Sequence, residues 1–338
     1  NYMAVTIKKI AEVSGVSRGT VDRVLNNRGK VSKKTEQKIR ECAEKLGYKP
    51  NLAGKALAAR KKNYVIGVII SSDGNIFFDD ILDSIKSEAK VYEEYGIKVV
   101  LKTMKGYDVD TQIKLIESIQ DDISSLIITP IDENIVRDKI NYLCDKGVGV
   151  VTLNTDIKNS KRLAYVGTDY YKGGQIVAGI INLISPYANI GIIQGTNKLY
   201  GHNQRVLGFK DEVKTYKNLN IKAISECEDD DVISYEKTIE MLKDNEDIDT
   251  IFIVAGGVYG VCKAIIQKQK NINIVCFDEI PKTIEMLKKD IIKVTISQQP
   301  KIQGKKVMDI IFDYLIKGEK PQNENYIIEN QIKIKQNY

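Results

Sequence analysis

Histidine is almost missing from this 338-residue chain, where His202 stands alone. A zinc site or a histidine-based triad therefore has almost nothing to work with. The five cysteines, Cys42, Cys144, Cys227, Cys262 and Cys276, are scattered without a CxxC pair. That pattern argues against a thiol redox motif and fits a reducing compartment, and Cys144, Cys262 and Cys276 are expected to be buried in apolar surroundings. No apolar run approaches the roughly 18 residues of a membrane span, and no apolar secretion-signal core is evident at the start. The expectation is a cytoplasmic protein with no membrane partner. No GxGxxG follows an apolar strand and no P-loop is present. The stretch "VAGGVYG" lacks the Lys-Ser/Thr pair that phosphate chemistry requires. These absences lead to an expectation of no metal, no cofactor, no catalytic residue and no enzyme activity.

What is present suits two or three well-packed domains, with 43% hydrophobic and 28% charged residues. The net charge of +6 is unevenly spread. Residues 1–62 hold 16 Lys and Arg against 5 Asp and Glu, a formal +11, and the remainder is mildly acidic. A basic head on an acidic body points to a polyanion met by the head alone.

The head begins "TIKKIAEVSGVSRGTVDRVLNN". Thr6 is placed to cap a first helix that buries Ile7, Ile10, Ala11 and Val13. Gly15 supplies a tight turn. Ser17 caps a second helix that buries Val16, Val21, Val24 and Leu25. Ser32 opens a third, "SKKTEQKIRECAEKLGY", with Ile39, Cys42, Ala43 and Leu46 inward. This order predicts a helix-turn-helix, whose second helix enters the major groove by its N-terminal end. Arg18 and Gly19 then reach base edges first, and arginine bonds guanine bidentately. Ser17, Thr20, Asn26 and Thr6 are placed to hold phosphates, and Arg23 reaches a base or a phosphate. Asp22 is a carboxylate among these groups. It is expected to pair with Arg23, Arg18 or Lys30 and steer the cation. Beyond Pro50, the segment to Arg60 is rich in Ala and Leu, yet it contains Gly54 and is too short to be a stable helix alone.

From Tyr64 onward, apolar β-branched runs such as "YVIGVIIS", "SLIITP", "VGVVTLN", "IGIIQG", "TIFIVAG" and "INIVCFD" alternate with amphipathic stretches. Continuous apolar strands between helices predict parallel sheets covered on both faces. About ten strands exceed one compact sheet, so the expected class is α/β, a three-helix head plus two doubly wound parallel-sheet lobes. The expected boundaries are 1–49 for the head, 50–63 for a linker and 64–338 for the body. The N-lobe takes about 64–163 and 298–325, and the C-lobe about 164–297 and 326–338. Polar and aromatic groups recur at the strand ends, where ligands of such sheets bind. Carboxylates, amides and ring faces suit a polyhydroxylated ligand.

The head resembles the LacI/GalR family of bacterial transcription regulators. Gly15, Val16, Ser17, Thr20, Val21, Arg23, Tyr48, Pro50 and Asn51 match its motifs, while Ser14 replaces an alanine and Asp22 a serine. The resemblance implies DNA contacts by these residues and by Asn51. It also implies a hinge helix in which Leu57, followed by Ala58, wedges into a minor-groove step. Gly54 replaces the family's alanine and weakens that helix by about 1 kcal/mol. The body resembles the type I periplasmic sugar-binding fold, closest to the ribose-binding group. That likeness implies a ligand set of Asn75, Phe77, Phe78, Asn154, Asp156, Asn203, Arg205, Asp278 and Gln298. Ala255, Gly256 and Gly257 replace an asparagine-aspartate pair, which suggests a ligand larger or less polar on that side. Together the resemblances imply a homodimeric repressor on a pseudo-palindromic operator, controlled by a small sugar or polyol. The alternatives are a transporter's solute-binding protein, against which the basic head argues, and a regulator with the opposite response to its ligand.

Overall fold

The computed structural model describes residues 5–25, 31–48, 60–71 and 73–338. Asn26, Asn51, Leu57 and Ala58, and most of the expected hinge, lie outside the described residues.

The head contains α1 (Ile7–Ser14), α2 (Arg18–Leu25) and α3 (Lys33–Lys45). Thr6 caps α1 by accepting from the Lys9 amide at 3.3 Å, and Gly15 ends it at φ 67°. Ser32 caps α3 in the same way, accepting from the Thr35 amide. Ile10, Ala11, Val21, Val24, Ile39, Cys42 and Ala43 form the buried core. Val13 does not join it and is 53% exposed. The buried stripe runs Ile7, Ile10, Ala11, Ser14, the i, i+3, i+4, i+7 pattern of a helix face, and Val13 falls beside it. Ser14 is buried because its hydroxyl donates to the Ile10 carbonyl at 2.5 Å.

The body comprises two six-stranded sheets. The first has the order β11-β5-β4-β3-β1-β2, from β1 (Val65–Ile70), β2 (Lys98–Thr103), β3 (Ser125–Ile128), β4 (Gly149–Asn154), β5 (Ala164–Gly167) and β11 (Asn325–Ile327). The second has the order β12-β10-β9-β8-β6-β7, from β6 (Ala188–Gln194), β7 (Leu219–Glu226), β8 (Thr250–Ile253), β9 (Asn273–Phe277), β10 (Val294–Ser297) and β12 (Gln331–Lys333). All pairs are parallel except β12 with β10. Helices α4 (Phe77–Glu93), α5 (Val109–Glu117), α6 (Asn134–Asp145) and α12 (Pro300–Phe312) cover the first sheet. Helices α7 (Tyr170–Ile184), α8 (Tyr200–Val213), α9 (Asp231–Asp244), α10 (Val258–Lys268) and α11 (Pro281–Lys288) cover the second. Helices on both faces explain the all-buried central strands, such as β3 and β8.

The chain crosses between lobes three times: after Gly167, after Ser297 and after Ile327. The first and last crossings fall a few residues later than expected. Ala164–Gly167 pairs with β4 in the first sheet, and Asn325–Ile327 pairs with β5. The short polar strands β11 and β12 carry no apolar run, and their partners are distant in sequence. β7 was also hidden, because this edge strand alternates exposed and half-buried residues and has no continuous apolar core. Among the described residues, no helix is long and apolar enough to cross a membrane.

Candidate functional site

In the head, Arg18, Gly19 and Arg23 project from α2 into solvent, opposite the buried Val21 and Val24. The Ser17 hydroxyl accepts from the Thr20 amide at 3.1 Å and shares a 2.8 Å bond with the Thr20 hydroxyl. Ser17 thus begins α2 and leaves both hydroxyls on its exposed N-terminal rim. Among the described residues, a Cβ on Gly19 would have only the Ser17 hydroxyl near it, at 3.9 Å. Asp22 is half-buried. The Tyr48 phenol is held above its usual pKa by its burial and then by the Asp22 charge. Asp22 therefore lies toward the exit of α3. Of its three expected cations, Lys30 lies outside the described residues. Asp22→Ser is expected to change the rank order of bound DNA sequences more than overall affinity, which binding-site selection from a random DNA pool checks. A uniform gain on all sequences would mean that Asp22 only repels phosphate.

In the body, four expected ligand residues come together between the lobes. Asp278, just after β9, accepts from the Gln298 side-chain amide at 2.6 Å. Gln298, just after β10, is 3.4 Å from the Thr168 hydroxyl and accepts on its carbonyl from Gln303. Gln303 in turn contacts the Asn154 amide at 3.4 Å. Asn154 and Asp278 both take left-handed backbone angles, φ 65° and 76°, which non-glycine residues adopt mainly where function or local bonding holds them. Arg205, on α8, is the largest fully buried side chain. Its guanidinium lies 3.5 Å from the Phe277 ring centre and 4.5 Å from that of Tyr170. One nitrogen donates to the Val254 carbonyl at 2.6 Å, while Nε and Nη2 are buried without a partner. Burial lowers the Arg205 pKa, with the negative charge of Asp278 among the groups opposing it.

Burial pushes the Asp278 carboxyl up to about 6, against the opposing pull of Arg205 and the Gln298 bond. The folded state then binds this proton more tightly than the unfolded chain. The stability this group contributes is present in acid and is lost as pH rises through about 6. A ligand hydroxyl that donates to Asp278 bonds the ionised form more strongly than the neutral acid. Ligand affinity is therefore expected to fall severalfold as pH drops from 7.5 to 5, and calorimetric titration across that range checks it. An affinity flat in pH would remove Asp278 from the contact set.

Asn75, Phe77 and Phe78 occupy the loop after β1 and the start of α4 in the first lobe. Asn75 accepts from the Phe77 amide at 3.1 Å, and the two phenyl rings meet edge to face at 5.1 Å. Ile280, two residues beyond Asp278, packs against their cluster.

Two expected ligand residues are engaged elsewhere. Asp156 is gripped bidentately by Arg162 at 2.6 Å on each oxygen, and Thr152 donates to it at 2.7 Å. Thr152 is fully buried and Arg162 is about as buried as Asp156, so this carboxylate is a structural tie rather than part of the network around Arg205. Asn203 accepts from Gln194 and donates to the Asn197 carbonyl, which fastens the loop after β6. The sole histidine is buried there too. Its Nδ1 accepts from the Thr196 amide, and burial lowers its pKa, keeping it neutral.

The glycines of "AGG" do not leave that side apolar. Asp229, from the loop before α9, fills the space with its carboxylate, accepting from the Gly256 amide at 2.8 Å. Tyr107 of the first lobe donates to its other oxygen. Neither residue carries a distinctive local signal: Asp229 sits in the acidic run "CEDDD" and Tyr107 in the turn-like "KGYDVD". Further interlobe bonds join the Asp132 amide to the Lys198 carbonyl and the Gly201 amide to the Thr155 hydroxyl.

The family described as periplasmic binding protein domain matches residues 66–320, and the family described as bacterial regulatory proteins, lacI family, matches residues 6–51. The chain is 27% identical over 288 residues to catabolite control protein A of Priestia megaterium, covering 82% of this chain and 83% of that one. It is 25% identical over 276 residues to the ribose import binding protein RbsB of Bacillus subtilis, covering 81% and 88%. Among solved structures, a glucose-galactose binding protein from Geobacillus stearothermophilus aligns with a TM-score of 0.75 at 25% identity, covering 81% of this chain and 98% of that one.

Proposed function

Because the chain belongs to the periplasmic binding protein domain family and carries a lacI-family regulatory domain ahead of it, we propose that it is a transcriptional repressor released from DNA by a small sugar or polyol. It acts as a sugar-responsive DNA-binding regulator, a homodimer on a pseudo-palindromic operator. The observation that carries the effector reading is Arg205, a buried guanidinium with two unpartnered nitrogens beside Asp278 and two aromatic rings. A hydroxyl-bearing ring offers acceptors to the arginine and donors to the aspartate.

The head reads DNA through the exposed rim of α2. Arg18 and Arg23 take bases or phosphates, and Thr6, Ser17 and Thr20 hold phosphates. Gly19 lets the DNA backbone come close, and among the described residues only the Ser17 hydroxyl stands near its missing Cβ. Asn26, Asn51, Leu57 and Ala58 complete the proposed contact set. Two heads joined by a dimer match two half-sites of a symmetric operator. A sugar between the lobes favours their closed arrangement, and release follows if DNA favours the other. The relatives named above are a regulator and sugar-binding proteins, which supports a binding role over catalysis. The same reading places the protein in the cytoplasm with its DNA.

The test is a mobility-shift titration on the gene's own upstream DNA at two salt concentrations, with and without a panel of pentoses, hexoses and polyols. A shift that weakens with salt and is relieved by one sugar supports the reading. No shift, or no salt dependence, overturns it. Asp278→Ala is expected to lose the sugar response while keeping the DNA shift.

A further inference from the structure

We infer that Asp229 is a specificity-determining residue of the effector site, selecting a ligand that turns a hydroxyl or amino donor toward the second lobe; this rests on the sugar-responsive reading above. Asp229 occupies a place built to receive it. A Cβ on Gly195 would overlap its Oδ1, and one on Gly256 would stand 2.7 Å from its Cβ. Two glycines from two different loops thus open the room that this one carboxylate fills. Glu228 and Asp229 hold left-handed angles, φ 53° and 59°, to bring it there.

Each oxygen has one protein donor, the Gly256 amide on Oδ1 and the Tyr107 phenol on Oδ2. A carboxylate has about four acceptor positions, so lone pairs remain for a ligand. The Asp229 charge acts on Asp278, Arg205, Tyr170 and His202, which places it within electrostatic reach of the network. The bond from Tyr107 spans the two lobes and forms only when they approach. Tyr107 is therefore a positioning residue: it aims Asp229 and ties the recognition of the donor to lobe closure.

The test compares wild type, Asp229→Asn, Asp229→Ala, Tyr107→Phe and Asp278→Ala. Each is screened by thermal shift against neutral pentoses, hexoses and polyols and against 2-amino-2-deoxyhexoses, with calorimetric titration of the best wild-type ligand. Asp229→Asn can still accept from the Gly256 amide, and sugar-free DNA binding reports that each variant is folded. The expected result is a loss of about tenfold or more for the best ligand in both Asp229 variants, with weaker ligands lacking that donor little changed. Tyr107→Phe is expected to weaken all ligands by a similar factor. If the Asp229 variants keep wild-type affinities and rank order while Asp278→Ala loses them, this inference falls and the effector reading stands. A wild type indifferent to the whole panel overturns both.

Discussion

Replacing Arg205 with Met is expected to abolish the effector response without lowering thermal stability. The reason lies in how the guanidinium is held. It is 1% exposed and has one hydrogen bond, to the Val254 carbonyl, while two of its nitrogens lack partners. The rings of Phe277 and Tyr170 recover part of the desolvation cost through their faces. Methionine keeps the packing against those rings and removes the buried charge. Removing a buried charge that has only one hydrogen bond recovers its desolvation cost, which offsets the roughly 1 kcal/mol of the orphaned Val254 carbonyl. Asp278 would lose its counter-charge, but its carboxyl already sits near 6 and would rise further into the neutral form. Two charge-assisted bonds to the ligand would be lost, worth about 1.5–3 kcal/mol each, so affinity should fall by about 100-fold or more. Thermal unfolding without sugar and calorimetric titration with it check the two halves separately. A variant that unfolds would make Arg205 a structural residue. One that still responds would remove it from the site.

Gly174→Ala is expected to cost about 3 kcal/mol or more. Gly174 on α7 faces α8 at backbone contact. A Cβ there would overlap the Arg205 carbonyl and stand 2.7 Å from the Phe209 amide nitrogen. Gly208 on α8 answers it, and its Cβ would overlap the Tyr171 carbonyl. The obstacles are main-chain atoms inside helices, which cannot rotate away, so the helices must move apart and carry Arg205 with them. Both stability and effector affinity should fall. Gly179→Ala, on the same α7, is the control, since its Cβ would meet only the Tyr216 hydroxyl at 3.8 Å. There the better helix propensity of alanine should add about 0.5–1 kcal/mol. Urea unfolding of both variants tests the pair. Equal effects would mean that α7 and α8 are looser than their glycines indicate.

The helix-turn-helix was legible because its signals are local. Thr6, Gly15, Ser17 and Ser32 act on amides and turns within three or four residues, and all four hold the places expected of them. The central strands were legible because strands covered on both faces are apolar throughout. Edge and tail strands lack that mark. The segments Leu219–Glu226, Asn325–Ile327 and Gln331–Lys333 become strands only because a partner strand is present.

The sequence by itself determined the order of elements, the basic head and the paired lobes. It also marked Asn154, Arg205, Asp278 and Gln298, which do converge. Only the tertiary structure decided which of these polar side chains are bonded within the fold and which keep unpaired atoms. Asp156 is held by Arg162, Asn203 by its own loop, and Asp229 enters where glycines had suggested empty room. The physical reason is one of range. A cap or a helical stripe is fixed by neighbours a few residues away. The partner of a carboxylate is fixed by distances between loops of two lobes, which no local pattern in the chain records.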